Sequence, residues 1–356
     1  MRKKGLLMAT AVMASMALMA CGSGSSGTAT TAADAGKTEA VATEKAEESK
    51  DAPTAGEQKF SLKLAENQSK DNPVSVGVQK FADLVKEKTN GSVEIEVYLD
   101  GTLGTENETI DQVQAGTLDF ARINTSALSS TADEVGVFTL PYIFTSTEQK
   151  YKVLDGEIGQ RISDSLEKYN MISLGYWEAG SRNFYTTKKP ITCVADMKGM
   201  KIRVQQSDIA IKMIETLGAA ATPMSYNEVY QGLQTGVIDG AENDFVSYYT
   251  SGHYEVAKYF SMDGHMAPPA MLIMSKTVWD KMSENQQNAI QEAAKEAREW
   301  QRQAMQDYQE ESRKAVEEKG CEVIDVDVKE FQDAVAPMYD DYPQYKDVIE
   351  QIRSIE

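Results

Sequence analysis

The side chains best placed to do chemistry in this 356-residue sequence are arginines and amides at the ends of β-patterned segments. Arg203 sits in the run Lys201-Ile202-Arg203-Val204, and Asn243 follows Ile238-Asp239-Gly240-Ala241. Arg122 and Asn124 stand in the equivalent place after Leu118-Asp119-Phe120-Ala121. A guanidinium presents two parallel N–H donors that match the two oxygens of a carboxylate, so this set points to gripping an organic acid. An arginine in a strand can equally be an exposed edge charge, and Arg203 alone does not separate the two. Catalytic constellations are sparse. His253 and His265 lack the spacing of paired metal ligands and read as structural, and H-E-x-x-H, C-x-x-C, P-loop and G-x-S-x-G patterns are missing. A glycosidase would need two carboxyl groups about 5–10 Å apart, a distance the sequence does not specify. Neither an enzyme nor a metal or other cofactor is expected.

These groups need a frame. Phe60-Ser61-Leu62-Lys63-Leu64 alternates like a half-buried strand, and Phe81, Leu84 and Val85 then recur at helical spacing. Val93-Glu94-Ile95-Glu96-Val97 alternates again, a helix spans about Glu106 to Ala115, and Leu118 to Ala121 is a third strand. The order β-α-β-α-β recurs with strand Lys201 to Val204, a helix carrying Ile209, Met213, Ile214 and Leu217, strand Ala219 to Pro223, a helix opened by a Ser225/Glu228 capping box, and strand Ile238 to Ala241. Glu108, Gln114, Gly116, Asp119 and Ala121 match Glu228, Gln234, Gly236, Asp239 and Ala241 at a constant offset. Two similar α/β lobes are expected. Open sheets of this kind bind ligands at the carboxyl ends of their strands, so the ligand cleft falls between the lobes. A helical pattern then runs from Ser283, with Gln286 at the third helical position, to about Lys319. It is roughly 55 Å long at 1.5 Å per residue. Its stripe of Ala289, Ala293, Ala297, Trp300, Ala304 and Tyr308 suits a brace lying across both lobes better than a coiled-coil seam.

The ends of the chain bear on compartment. Arg2, Lys3 and Lys4 precede an uncharged apolar stretch from Leu6 to Ala20, shorter than the roughly 20 residues of a membrane span and typical of a signal peptide. It closes on Leu18-Met19-Ala20-Cys21, which resembles a bacterial lipobox with Cys21 as the lipid attachment site. Two acyl chains suffice for stable anchoring. Gly22 to about Glu57 is rich in Gly, Ser, Thr, Ala, Glu and Lys, a composition that buries too little apolar surface to fold and reads as a tether. The formal charge of −19 argues against nucleic acid or anionic lipid as a partner. Any bound anion must therefore be held by local arginines. Cys193 and Cys321 can be two free thiols or one bridge.

The run Asp196-Met197-Lys198-Gly199-Met200-Lys201-Ile202-Arg203-Val204, the segment from Pro223 to Gln234, and Gly236-Val237-Ile238-Asp239-Gly240-Ala241-Glu242-Asn243 together resemble DctP-type solute receptors of tripartite ATP-independent periplasmic (TRAP) transporters. The resemblance extends from Phe60 to the C-terminus, long helix included. It implies an α/β, two-lobed periplasmic-binding-protein-like fold of type II, with the ligand cleft between lobes braced by the long helix. The expected organisation is a signal peptide over 1–20, an anchored linker over 21–57, a first lobe over 58–180, a second over 181–268, and return strands, brace and C-terminal helices over 269–356. The resemblance also assigns roles: Arg203 to the ligand carboxylate, Arg182 of Gly180-Ser181-Arg182 as a second arginine, Asn243 as a hydrogen-bonding partner, and Tyr226 as a pocket wall.

Leu118 to Asn124, Tyr176 to Arg182, and His253 to Tyr259 look like the members that take uronic acids, in which Arg122 and Glu106 would contact sugar hydroxyls. Glu178 stands where an Asp is common in them, and Ala270 where a Glu is common, so another sugar acid or a dicarboxylate stays open. The expected cycle docks the carboxylate on Arg203 and Arg182, reads hydroxyls with Asn243, Arg122, Glu106 and Glu178, closes the lobes, and delivers the ligand to small and large integral membrane subunits. The partner could instead be a membrane sensor or an ATP-driven importer.

Overall fold

The computed structural model describes residues 57–356; the signal-peptide and lipobox readings, and nearly all of the linker, lie outside them. The chain forms strands β1 (Phe60–Ala65), β2 (Val93–Tyr98), β3 (Phe120–Asn124), β4 (Met171–Trp177) and β5 (Arg182–Thr186). It continues with β6 (Lys201–Val204), β7 (Ala220–Pro223), β8 (Gly240–Asn243), β9 (Tyr259–Met266), β10 (Ala270–Ser275) and β11 (Glu322–Asp325). They assemble into two mixed sheets, ordered β2-β1-β3-β10-β4 and β11-β9-β5-β8-β6-β7. Read from its far edge, the second sheet repeats the first: β7-β6-β8-β5-β9 answers β2-β1-β3-β10-β4. In each, three parallel strands are followed by an antiparallel one contributed from beyond the other lobe. The fold is a two-lobed, type II-like α/β architecture.

The sequence repeat has a physical basis. Gly116 and Gly236 end their helices in the left-handed conformation, at φ 76° and 74°, where glycine pays no Cβ penalty. Asp119 Oδ2 accepts from Lys63 N of β1 at 2.7 Å, and Asp239 Oδ2 accepts from Lys201 N of β6 at 3.0 Å. The same aspartate, just before each third strand, thus ties it to the backbone of its central neighbour.

Two local expectations are revised. Ser225 does not cap the backbone of its helix; its hydroxyl bonds the Glu228 carboxylate, and a 3-10 turn, Tyr226–Glu228, precedes helix Val229–Thr235. The full capping box in this region of the repeat lies at Thr105 and Glu108 in the first lobe. Strands β3 and β8 also run further than the apolar pattern, so Arg122, Asn124 and Asn243 are strand residues rather than loop residues. Both strands are buried throughout, because each lies inside its sheet with neighbours on both sides.

The long helix, Glu284–Glu318, begins with the expected Ser283/Gln286 capping box. Its buried face is Ile290, Ala293, Ala294, Ala297, Gln301, Met305 and Val316, rotated from the alanine stripe, and Trp300 is 38% exposed. The shift follows from hydrogen bonds that periodicity does not see. Gln301 Nε2 donates to Glu178 O at 2.9 Å while its Oε1 accepts from Glu178 N at 3.0 Å. Arg302 Nη2 donates to Tyr176 O at 2.9 Å. The helix therefore buries polar side chains against the end of β4, where the chain leaves the first sheet. Its early turns pack with Phe81 and Leu272 of the first lobe, and Val316 packs with Tyr185 and Phe260 of the second. The brace expectation holds on a partly different set of residues, Ala293 and Ala297 being common to both. Cys193 and Cys321 are free.

Candidate functional site

A small, largely polar cavity lies between the lobes. Each wall is built where the repeat puts the carboxyl ends of its parallel strands. Asn67 and Gln68 follow β1, Arg122 and Asn124 end β3, and Glu106 opens helix Glu106–Ala115. Facing them are Arg203 of β6, Gln205 just beyond it, Tyr226 after β7 and Asn243 at the end of β8. Arg182, the first residue of β5, and Met305 of the long helix close the back. The cleft is shut over this cavity by polar contacts: Asn107 Nδ2 donates to Gln206 Oε1 at 3.2 Å, Ser130 Oγ to Gln206 O at 3.2 Å, and Asn72 Nδ2 to Thr250 Oγ1 at 3.3 Å.

Of the residues singled out in the sequence, Arg203, Arg182, Asn243, Tyr226, Arg122 and Glu106 come together here. Glu178 does not line this cavity. Its buried carboxylate accepts from Lys150 Nζ at 2.6 Å, Tyr151 Oη at 2.7 Å and Gly180 N at 2.7 Å. Burial opposes its ionisation, but Lys150 and Tyr151 hold its pKa below the usual range. Glu178 thereby fixes the crossover 178–181, where Gly180 is required. At φ 76° its absent Cβ would lie 2.4 Å from that of Asp244. Asn67, Gln68, Gln205 and Ser247 were missed as wall residues. Asn67, Gln68 and Gln205 share one available signal, polar side chains directly past the carboxyl end of a parallel strand.

The three arginines are 2–4% exposed, yet electrostatically unlike. Arg122 donates through Nε to Glu66 at 2.5 Å, pairs Nη2 with the same carboxylate, and reaches Asn67 Oδ1 at 2.6 Å. Burial works against its charge, but Glu66 outweighs burial and the guanidinium pKa is raised. Arg182 grips the Glu242 carboxylate through Nε and Nη2 and donates from Nη1 to Asn243 Oδ1 at 3.0 Å. Glu242 likewise overcomes burial and raises the Arg182 pKa. Arg203 has no such partner. Its Nε and Nη2 donate to Met224 O at 3.0 and 2.8 Å, and the nearest carboxylate oxygen to Nη1 is 3.9 Å away, on a Glu242 already held by Arg182. Burial lowers its pKa, Glu242 only partly offsets that, and Arg182 adds to the lowering. Arg203 is an under-compensated buried cation facing the cavity. Beside it Asn243 spends Oδ1 on Arg182 and Asp244 N, which turns Nδ2 to donate. Across the cavity Glu106 spends Oε1 on Asn124 N at 2.8 Å and retains Oε2 as an acceptor.

Beneath the arginines sits a buried ion cluster. His265 Nδ1 lies 2.8 Å from Asp263 Oδ2 and its Nε2 3.7 Å from Glu242, with the ring stacked on Phe184. Burial lowers its pKa, but Asp263 and Glu242 prevail and raise it to about 9. The folded value exceeds the ordinary histidine value of 6.5, so this group's stabilisation is complete below about pH 6.5 and is lost as pH rises through about 9. Chemical denaturation of the wild type at pH 6 and pH 9.5 is expected to show a loss on the order of a few kcal/mol. His265→Gln should lack most of that difference. His253 behaves oppositely: burial and Arg203 lower its pKa to about 3, and its Nδ1 is hydrogen-bonded to Tyr185 Oη at 2.7 Å.

Comparison with known proteins agrees with this geometry. Residues 64–345 match the family model described as DctP, bacterial extracellular solute-binding protein, family 7. A TRAP periplasmic solute-binding protein from Xanthobacter autotrophicus Py2, solved with bound β-D-galacturonate, is 40% identical at TM-score 0.81, covering 83% of this chain and all of that one. One from Chromohalobacter salexigens, solved with bound D-glucuronate, is 37% identical with the same TM-score and coverage. The 2,3-diketo-L-gulonate-binding periplasmic protein YiaO of Escherichia coli is 31% identical over 83% of this chain and 92% of its own. With the match spanning most of the folded chain, this protein belongs to the DctP family of TRAP-type extracellular solute-binding proteins.

Proposed function

We propose that this protein is a non-catalytic receptor outside the cytoplasm that captures a uronate-class sugar acid and hands it to the membrane subunits of a TRAP transporter. The observation that carries the reading is Arg203, a buried guanidinium short of counter-charge in a cavity whose walls also hold the polar side chains of Glu106, Asn124, Gln205 and Asn243. A ligand carboxylate would complete it by a charge-assisted pair. Asn243, Arg122 and Glu106 would read hydroxyls, and Tyr226 would form a wall. Arg182 would contribute mainly by holding Glu242 and Asn243 in place, and Glu178 by fixing the crossover between lobes. Galacturonate and glucuronate bound to similar proteins support the choice of ligand class.

Closure would then be driven only by the difference in ligand affinity between open and closed forms. A thermal-shift screen of the protein from Glu57 onward tests this. A uronate at 100 times its dissociation constant adds about 2.7 kcal/mol of stability, whereas neutral hexoses are expected to add none. A response confined to neutral sugars would sink the reading.

The proposal includes a lipid anchor on Cys21, motivated by the sequence Leu18-Met19-Ala20-Cys21. No helix among the described residues is long and apolar enough to cross a membrane. Cys21→Ala is expected to move the protein from the membrane to the soluble fraction, and unchanged sedimentation with membranes would refute the anchor.

A further inference from the structure

Gln205 lies two residues beyond Arg203, and its side chain lines the same cavity. It is 8% exposed, and its Oε1 is buried without a hydrogen-bond partner among the described residues. An unpaired buried amide is unfavourable, so a group at this position is expected to meet a donor when the site is in use. The local backbone explains its direction. Ser207 N donates to Gln205 O at 2.8 Å, a tight turn that precedes helix Asp208–Thr216. Gln205 faces the cavity while the next residue, Gln206, reaches across the cleft to Asn107 and Ser130. The opposite wall repeats the arrangement: Glu106 lines the cavity and the next residue, Asn107, makes the bridge. On each lobe an acceptor facing the ligand is followed directly by an amide that holds the cleft shut.

Ligand hydroxyls satisfy such acceptors, whereas a second carboxylate brings only acceptors and a charge like that of Glu106. We infer that Gln205 is the specificity-determining residue that accepts a hydrogen bond from a ligand hydroxyl, so that the site prefers hydroxylated monocarboxylates to dicarboxylates. Gln206 is the adjoining closure contact. This rests on the sugar-acid reading above.

Calorimetric titration of the wild type and Gln205→Met with D-galacturonate, its monodeoxy analogues and succinate tests it. The substitution is expected to weaken D-galacturonate about ten- to a hundredfold. It should leave unchanged the affinity for one analogue, the one lacking the hydroxyl that Gln205 reads. Gln206→Ala is expected to weaken every ligand by a common factor. Gln205→Asn keeps the amide but withdraws it, and gives the same test if the methionine variant does not fold, as judged by unfolding without ligand. Equal losses for all analogues, or no loss at all, would overturn the Gln205 assignment alone, whereas tighter binding of succinate than of D-galacturonate by the wild type would overturn the sugar-acid reading with it. A wild type that binds no hydroxylated acid would overturn the assignment and the sugar-acid reading together.

Discussion

Arg203→Ala is expected to weaken binding of a uronate by about thirty- to several-thousandfold, the range for removing one partner of a desolvated charge pair. The free protein should keep its unfolding midpoint to within a few degrees. The asymmetry follows from what Arg203 does before ligand arrives. Among the described residues its hydrogen bonds go to one carbonyl, Met224 O, and burial and Arg182 both disfavour its charge. Removing it takes away a cation that the fold stabilises poorly, so little stability is lost with it. Calorimetry and thermal unfolding of the same preparation separate the two effects. A variant that bound as tightly as the wild type would remove the carboxylate from Arg203. One that unfolded far earlier would mean Arg203 is part of the scaffold.

Glu242→Gln should behave in the opposite way. The Glu242 carboxylate is fully buried, gripped by Arg182, 3.7 Å from His265 Nε2 and 3.9 Å from Arg203 Nη1. Neutralising it leaves three cationic groups facing one another in a dry environment, and breaking a buried pair in this way typically costs about 3–5 kcal/mol. Denaturant unfolding at pH 7 is expected to show a loss of that size. Ligand affinity of the folded fraction should be retained or strengthened, because Arg203 loses its one nearby competitor for a ligand carboxylate. Burial opposes ionisation of Glu242, but Arg182 and His265 hold its pKa at about 2, below the ordinary glutamate value of 4.5. Its stabilisation is therefore present above about pH 4.5 and lost as pH falls through about 2, and the acid limb of the wild-type stability curve should flatten in the variant. Unchanged stability at pH 7 would show that Glu242 does not hold the surrounding cations in place.

Much of this architecture is legible in the residues, and the exceptions have a common cause. The lobe repeat is readable because Gly116/Gly236 and Asp119/Asp239 solve local problems, a helix end and a strand tie, that recur wherever the motif does. Arg203, Asn243 and Arg122 are readable because strand ends at the cleft carry the ligand groups. The pairings that differentiate the arginines are not. Glu66 meets Arg122, and Glu242 meets Arg182, across 56 and 60 residues of chain, through sheet registers that no local pattern encodes. The resemblance of Tyr176–Arg182 to uronate receptors puts Glu178 among the hydroxyl readers, but Lys150 and Tyr151, from a helix of the same lobe, take up its carboxylate. The long helix was misphased for the same reason, since Gln301 and Arg302 are buried by bonds to the ends of distant segments.

The crystal structure of the complex with D-galacturonate tests the central claim most directly. The carboxylate is expected within about 2.7–2.9 Å of the Arg203 guanidinium, with hydroxyls on Glu106 and Gln205 and the Gln206–Asn107 bridge intact. A ligand whose carboxylate lies against Arg122 or open solvent, with a neutral group facing Arg203, would contradict the account.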